Sequence, residues 1–227
     1  MSTRTLTACA ALGVAVLYAI SIPIGSFGDA PAAGASGEAV LRFIDGHRDG
    51  VLAASVLNGI AWCALMPAVF AGLRELLRGP ARSAATVALI CAAVESALIG
   101  VALVLGVLLA WEAPDVPTAT ARMLGDGFTL ATSASAWPTV PCSIALALAW
   151  RAHGDLPRAV PILAWLVAVL HAIASVGFAR SGVLAPDELP ALAPLAFALL
   201  MAALGVALLR RPSLQASAPA PTVITPA

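Results

Sequence analysis

Six long apolar runs divide the chain, at residues 6–25, 50–73, 83–111, 127–150, 159–179 and 189–209. Each holds about 20 or more mostly apolar residues, enough for an α-helix to cross about 30 Å of hydrocarbon. Backbone polar groups in lipid must be satisfied within their own segment, so the runs predict helices. The apolar/polar alternation of membrane barrel strands is absent. The pattern therefore predicts an all-α, polytopic transmembrane bundle of six spanning helices over residues 1–211. Residues 212–227, rich in Pro, Ala, Ser and Thr, read as a disordered cytoplasmic tail. Between the first and second runs, Val40, Phe43, Ile44 and His47 recur at helical spacing among Glu38, Arg42, Asp45 and Asp49. That predicts a short amphipathic segment lying on the outer membrane surface.

Composition agrees: 61% of the 227 residues are hydrophobic and 11% charged, with a mean hydropathy of +0.97. Soluble domains carry about 25% charged residues. So little polar surface excludes a soluble enzyme, a disordered chain and a nucleic-acid binder. The expected surroundings are the lipid bilayer and, within it, another membrane protein or a second copy of the chain. Cys9, Cys63, Cys91 and Cys142 lie in apolar runs without motif spacing, which indicates neither a disulfide framework nor a metal site. No cofactor motif is present.

The twelve basic residues are all Arg and fall unevenly. Arg4, Arg74, Arg78, Arg82, Arg151, Arg158, Arg210 and Arg211 share one side of the expected bundle; Arg42, Arg48, Arg122 and Arg180 share the other. The positive-inside rule then puts both termini in the cytoplasm. The acids lie mostly opposite, at Asp29, Glu38, Asp45, Asp49, Glu112, Asp115, Asp126, Asp187 and Glu188, with Glu75 and Asp155 inside. Trp111 and Trp150 end their runs as interfacial anchors do, whereas Trp62, Trp137 and Trp165 fall within runs and are expected between helices. The first run is too long for a cleaved leader and reads as an uncleaved helix.

Polar side chains inside the runs are the informative ones, because hydrocarbon makes them costly. Counted at about 1.5 Å per residue from the basic residue at its helix end, each of five residues lies about 18–24 Å deep. They are Tyr18, Asn58, Glu95, Thr139 and His171, one per helix in the first five. Thr129, Thr132, Ser135, Thr139 and Ser143 form a hydroxyl stripe on the fourth helix, which Pro138 and Pro141 kink, freeing carbonyls near Ala134 and Trp137. Two readings are open. One is a midplane polar pocket or proton path, with Glu95 and His171 as its titrating pair, in a small transporter or permease. The other is interhelical hydrogen bonding that fixes helix register in a structural or regulatory subunit. The halves show no internal similarity that would support an inverted repeat. No nucleophile motif is present, so no catalytic residue is assigned. Ala92-Ala93, Ala97 and Gly100 are expected to face protein.

The order of parts carries a resemblance. An outer Arg42-Phe43-Ile44-Asp45-Gly46-His47-Arg48 segment precedes a helix ending in Leu73-Arg74-Glu75-Leu76-Leu77-Arg78, and an inner loop reads Gly154-Asp155-Leu156-Pro157-Arg158. The chain resembles a widespread group of uncharacterised small six-helix integral membrane proteins of high-GC Gram-positive bacteria. The resemblance implies the same topology and a place in the bacterial cytoplasmic membrane. It implies no activity and no site residues.

Overall fold

A computed structural model describes residues 1–25, 30–31, 34–152, 157–176 and 192–210. Among them the structure is helical and without strands. The tail after Arg210, the run ends at 177–179 and 189–191, and Asp29, Asp155, Arg180, Asp187 and Glu188 lie outside the described residues.

Helix α1 (Thr3–Ile24) starts at Ser2, whose hydroxyl accepts from the Thr5 amide. Helix α2 (Gly37–Asn58) runs through a π-helical stretch, Gly59–Leu65, into α3 (Met66–Leu76). A tight turn through Leu77, where Gly79 takes the left-handed conformation (φ +55°), leads into α4 (Gly79–Glu112). Helices α5 (Thr118–Ala134) and α6 (Ala136–Ala152) follow one path broken at Ser135. Helices α7 (Ala159–Ala174) and α8 (Leu192–Arg210) complete the bundle.

Among the described residues, four stretches are long and apolar enough to cross a membrane: Thr3–Ile24, Gly37–Leu76, Gly79–Glu112 and Leu192–Arg210. The chain is accordingly a membrane protein. Length alone marks four stretches where the runs predict six, for two physical reasons. The fourth run is divided into helices of 17 residues each, and α7 has 16 described residues. The division follows from Pro138. It lacks the N–H that would reach the Ala134 carbonyl, so α5 stops there and the proline sits in the first turn of α6, where a missing donor costs nothing. Pro141 is accommodated within α6.

The amphipathic segment differs from expectation. It is the first half of α2, continuous with the apolar rod and bent at His47 (φ −133°, ψ 16°). Its apolar face is covered by protein rather than headgroups: Ile44 and Val51 pack with Leu109 and Ala110 of α4 and Ala121 and Leu124 of α5. The 34-residue α4 spans about 51 Å, well beyond the hydrocarbon thickness, which leaves its last turns free to build this cluster.

The main core gathers α1, the π stretch, α3, α4, α6, α7 and α8 around Trp62, Met66, Phe70, Leu146, Trp150, Phe197 and Leu204. Small residues bring backbones close. A Cβ on Gly205 of α8 would lie 2.9 Å from the Ala8 carbonyl of α1, and one on Gly72 of α3 would overlap the Thr7 hydroxyl. On α4 the expected small-residue seam is displaced. Ala85, Ala88, Ala92, Glu95 and Ser96 are buried, whereas Ala93 and Ala97 are exposed and Gly100 is half-buried. Tryptophans depart from expectation too. Trp150 is 2% exposed and donates to the Pro157 carbonyl (3.2 Å), while Trp137 (56%) and Trp165 (41%) face outward.

Candidate functional site

The helix contacts gather the basic ends of the bundle. Gly205 meets Leu12, Gly72 meets Thr7, Cys142 donates to the Ala88 carbonyl (3.4 Å), and Trp150 reaches Pro157. Read along antiparallel neighbours, those pairs bring Arg4, Arg74, Arg78, Arg82, Arg151, Arg158 and Arg210 to one end. There Glu75 pairs with Arg74 (2.9 Å) and Arg82 (3.6 Å), tying α3 to α4. The pairs are exposed, so they contribute at most about 1 kcal/mol each.

The five residues of the expected midplane layer are buried or half-buried, and they divide among different helix pairs. Glu95 (2% exposed) projects from α4 against α6, where its carboxyl faces the Thr139 side chain. Thr139 donates to the Ser135 carbonyl at 2.8 Å. The second carboxyl oxygen, Oε2, is buried without a hydrogen-bond partner, as is the Ser143 hydroxyl one turn along α6 from Thr139.

Asn58 belongs to a different pair. Its Oδ1 accepts from Ser21 of α1 at 3.3 Å, and its Nδ2 donates to the Ala54 carbonyl at 3.0 Å. His171 of α7 carries its hydrogen on Nδ1, which donates to the Val167 carbonyl at 2.9 Å. Its ring meets Phe197 of α8 edge-on, with centroids 6.3 Å apart. Tyr18 of α1 packs edge-on against Trp62 (5.7 Å), and Trp62 lies tilted against Phe197 (5.1 Å). A row Tyr18–Trp62–Phe197–His171 therefore joins α1, the π stretch, α8 and α7. Each such contact contributes about 0.5–1.5 kcal/mol beyond burial. No contact joins Glu95 to His171 among the described residues.

The hydroxyl stripe is turned back on its own helices. Thr129 donates to Gly125 (3.1 Å), Thr132 to Phe128 (2.8 Å) and Ser135 to Thr132 (2.6 Å), each at a carbonyl. The stripe also changes surroundings along its length: Thr132 is exposed, while Ser135, Thr139 and Ser143 are buried.

Sequence reasoning missed Ser96. Its hydroxyl lies 2.7 Å from the Trp62 carbonyl in the π stretch and 2.8 Å from the Ala92 carbonyl of its own helix. The Ser96 carbonyl in turn accepts from Cys63 at 3.5 Å. These contacts draw the π stretch onto α4. The only sequence signal was the placing of Ser96 beside Glu95 in an apolar run. Beside this junction the outer face of α2, the π stretch and α4 carries an open apolar furrow of about 660 Å³. No group of His, Cys, Asp and Glu suited to a metal occurs among the described residues.

No protein-family model, curated protein or solved structure matches the chain.

Proposed function

We propose that this chain is a six-span subunit of the bacterial cytoplasmic membrane that acts by binding other membrane constituents through its apolar faces. One observation carries the reading: the buried polar side chains with partners on other helices sit at different helix pairs. Glu95 of α4 faces Thr139 of α6, Asn58 of α2 accepts from Ser21 of α1, and His171 of α7 rests on Phe197 of α8. A solute path needs such groups around one polar hollow, whereas the groove beside α4 is apolar. Both termini lie in the cytoplasm on this reading. The grouping of seven arginines at one end supports it through the positive-inside rule.

A second reading, a small proton-coupled permease, is favoured by the partnerless Oε2 of Glu95. Proton flux into vesicles holding the purified chain separates the two. The binding reading predicts flux no greater than in empty vesicles, before and after Glu95→Gln. Flux that wild type supports and Glu95→Gln abolishes would overturn it. Reporter fusions at residues 1, 115 and 210 test the topology; the first and last should report cytoplasm and the middle one the opposite side.

A further inference from the structure

The turn between α3 and α4 concentrates positive charge on a fixed piece of backbone. Arg74, Arg78 and Arg82 follow one another four residues apart, in the last turn of α3, the connecting turn and the first turn of α4. Leu77, in the middle of the turn, is buried against Ala81 and Ala85 of α4 and Ala149 of α6. Gly79 supplies the left-handed conformation that brings the chain round. The arginines are thus presented from a backbone already held by the core, which spares part of the ordering cost of binding.

Two of the three converge on one atom. Arg74 Nη1 lies 2.9 Å and Arg82 Nη2 3.6 Å from the same Glu75 oxygen, Oε1. A guanidinium has five N–H donors, and Glu75 is the only partner of either arginine among the described residues. One carboxylate charge therefore stands against two guanidiniums, with exposed Arg78 in the turn between them. The Gly72–Thr7 approach brings antiparallel α1 alongside, so Arg4 lies level with Glu75. Glu75 is also the only acid among the described residues of this end.

Such a corner attracts an anion, and its place in the fold selects the kind. It joins two stretches that cross hydrocarbon, and along α4 beyond Arg82 the side chains of Val87 and Ile90 are exposed. They lie about 8 and 12 Å beyond Arg82 at about 1.5 Å per residue, where a membrane-spanning helix meets acyl chains. An anion that carries a hydrocarbon tail satisfies both features at once. A zwitterionic headgroup brings an ammonium group as well, and the acid that would receive it already faces two arginines.

We infer that the α3–α4 corner binds an anionic phospholipid of the leaflet at the basic end, with the phosphate between Arg74 and Arg82 and an acyl chain along Val87 and Ile90. The inference goes beyond the apolar-face reading above and shares with it only the placing of the chain in a membrane.

The test is native mass spectrometry of the full chain in detergent, with phosphatidylglycerol or phosphatidylethanolamine of the same acyl chains at equal concentration. Wild type should retain phosphatidylglycerol in preference. Arg74→Gln combined with Arg82→Gln should lower that retention about 30-fold, about fivefold for each arginine, the equivalent of about 1 kcal/mol apiece. Both side chains are half-exposed and lie outside the core, so the exchange spares the fold. Arg210→Gln removes a charge from the same end on α8, which packs on α1 and α7, and should change retention little. Equal losses from Arg210→Gln and from Arg74→Gln alone would overturn the site in favour of a general attraction of the basic end. Equal retention of the two lipids by wild type would also overturn it, whatever the proton-flux measurement gives. Glycerol phosphate that displaces the lipid at equal concentration would overturn the lipid as the occupant.

Discussion

Gly205 sets how closely α8 approaches α1, and adding one methyl group there gives a graded test of the packing. In Gly205→Ala the new Cβ would lie 2.7 Å from Leu12 Cγ and 2.9 Å from the Ala8 carbonyl oxygen. Attractive contact between such atoms is optimal at about 3.5–4.0 Å. Leu12 can swing aside, but the Ala8 carbonyl belongs to a helix backbone, so α1 and α8 must separate by several tenths of an ångström. Overpacking of this kind costs about 1–3 kcal/mol. Replacing Gly by Ala within a helix returns up to about 1 kcal/mol. The net expectation is a loss of about 0–2 kcal/mol against wild type, and of about 1–3 kcal/mol against a Gly→Ala control that gains the same helix propensity without the clash. Gly46→Ala is the matched control, since a Cβ there has nothing within 4 Å. Its stability should equal or slightly exceed wild type. Reversible unfolding of the three proteins in mixed micelles, titrated with SDS, reads the difference. Gly205→Ala as stable as Gly46→Ala would refute the close approach of α1 and α8.

Two further outcomes follow from single contacts. Ser21→Ala removes the α1–α2 bond to Asn58 and should cost about 0.6 kcal/mol, with about 1.7 kcal/mol as the ceiling for one such bond in a membrane; the same SDS titration measures it. At the start of α2, the Glu38 carboxyl is held below its ordinary 4.5 by its own backbone amide, by the Ser36 hydroxyl and then by Arg42. A depressed carboxyl favours the folded helix end above 4.5 and loses that contribution as pH falls through its lower folded value. The protection of the Ala39 and Val40 amides, measured relative to their intrinsic exchange rates, should therefore fall below about pH 4.5. Ser36→Ala should move the Glu38 titration upward; an unmoved midpoint would exclude the Ser36 bond.

What was legible in the sequence was hydrophobicity along the chain. The helical segments, the uneven arginines and the costly Glu95 and His171 all follow from residue type and spacing. Less legible was which neighbour each face meets. Ala93 and Ala97 look like packing residues beside Ala92, yet α4 turns Glu95 and Ser96 inward with Ala92 and leaves those two exposed. Trp150 lies near a run end as an anchor would, but the Pro157 carbonyl captures its indole and buries it. The amphipathic segment has an apolar face that a membrane surface could satisfy; the long ends of α4 and α5 satisfy it instead. The π stretch at Gly59–Leu65 has no local signature, because its partner Ser96 lies more than thirty residues away. Depth could be counted from the arginines, but depth does not say which residues face one another. Equal depth grouped Glu95 with His171; among the described residues the partners are Thr139 for Glu95, and Val167 and Phe197 for His171.

The central claim is that the buried polar residues act pair by pair rather than as one pocket, and a double-mutant cycle addresses it directly. Measured by SDS unfolding, Glu95→Leu and Thr139→Val should couple by about 0.5 kcal/mol or more, as residues in contact do. Glu95→Leu and His171→Phe should add within about 0.5 kcal/mol, as independent sites do. Coupling of about 1 kcal/mol or more between Glu95 and His171 would contradict the account and restore a shared midplane pocket.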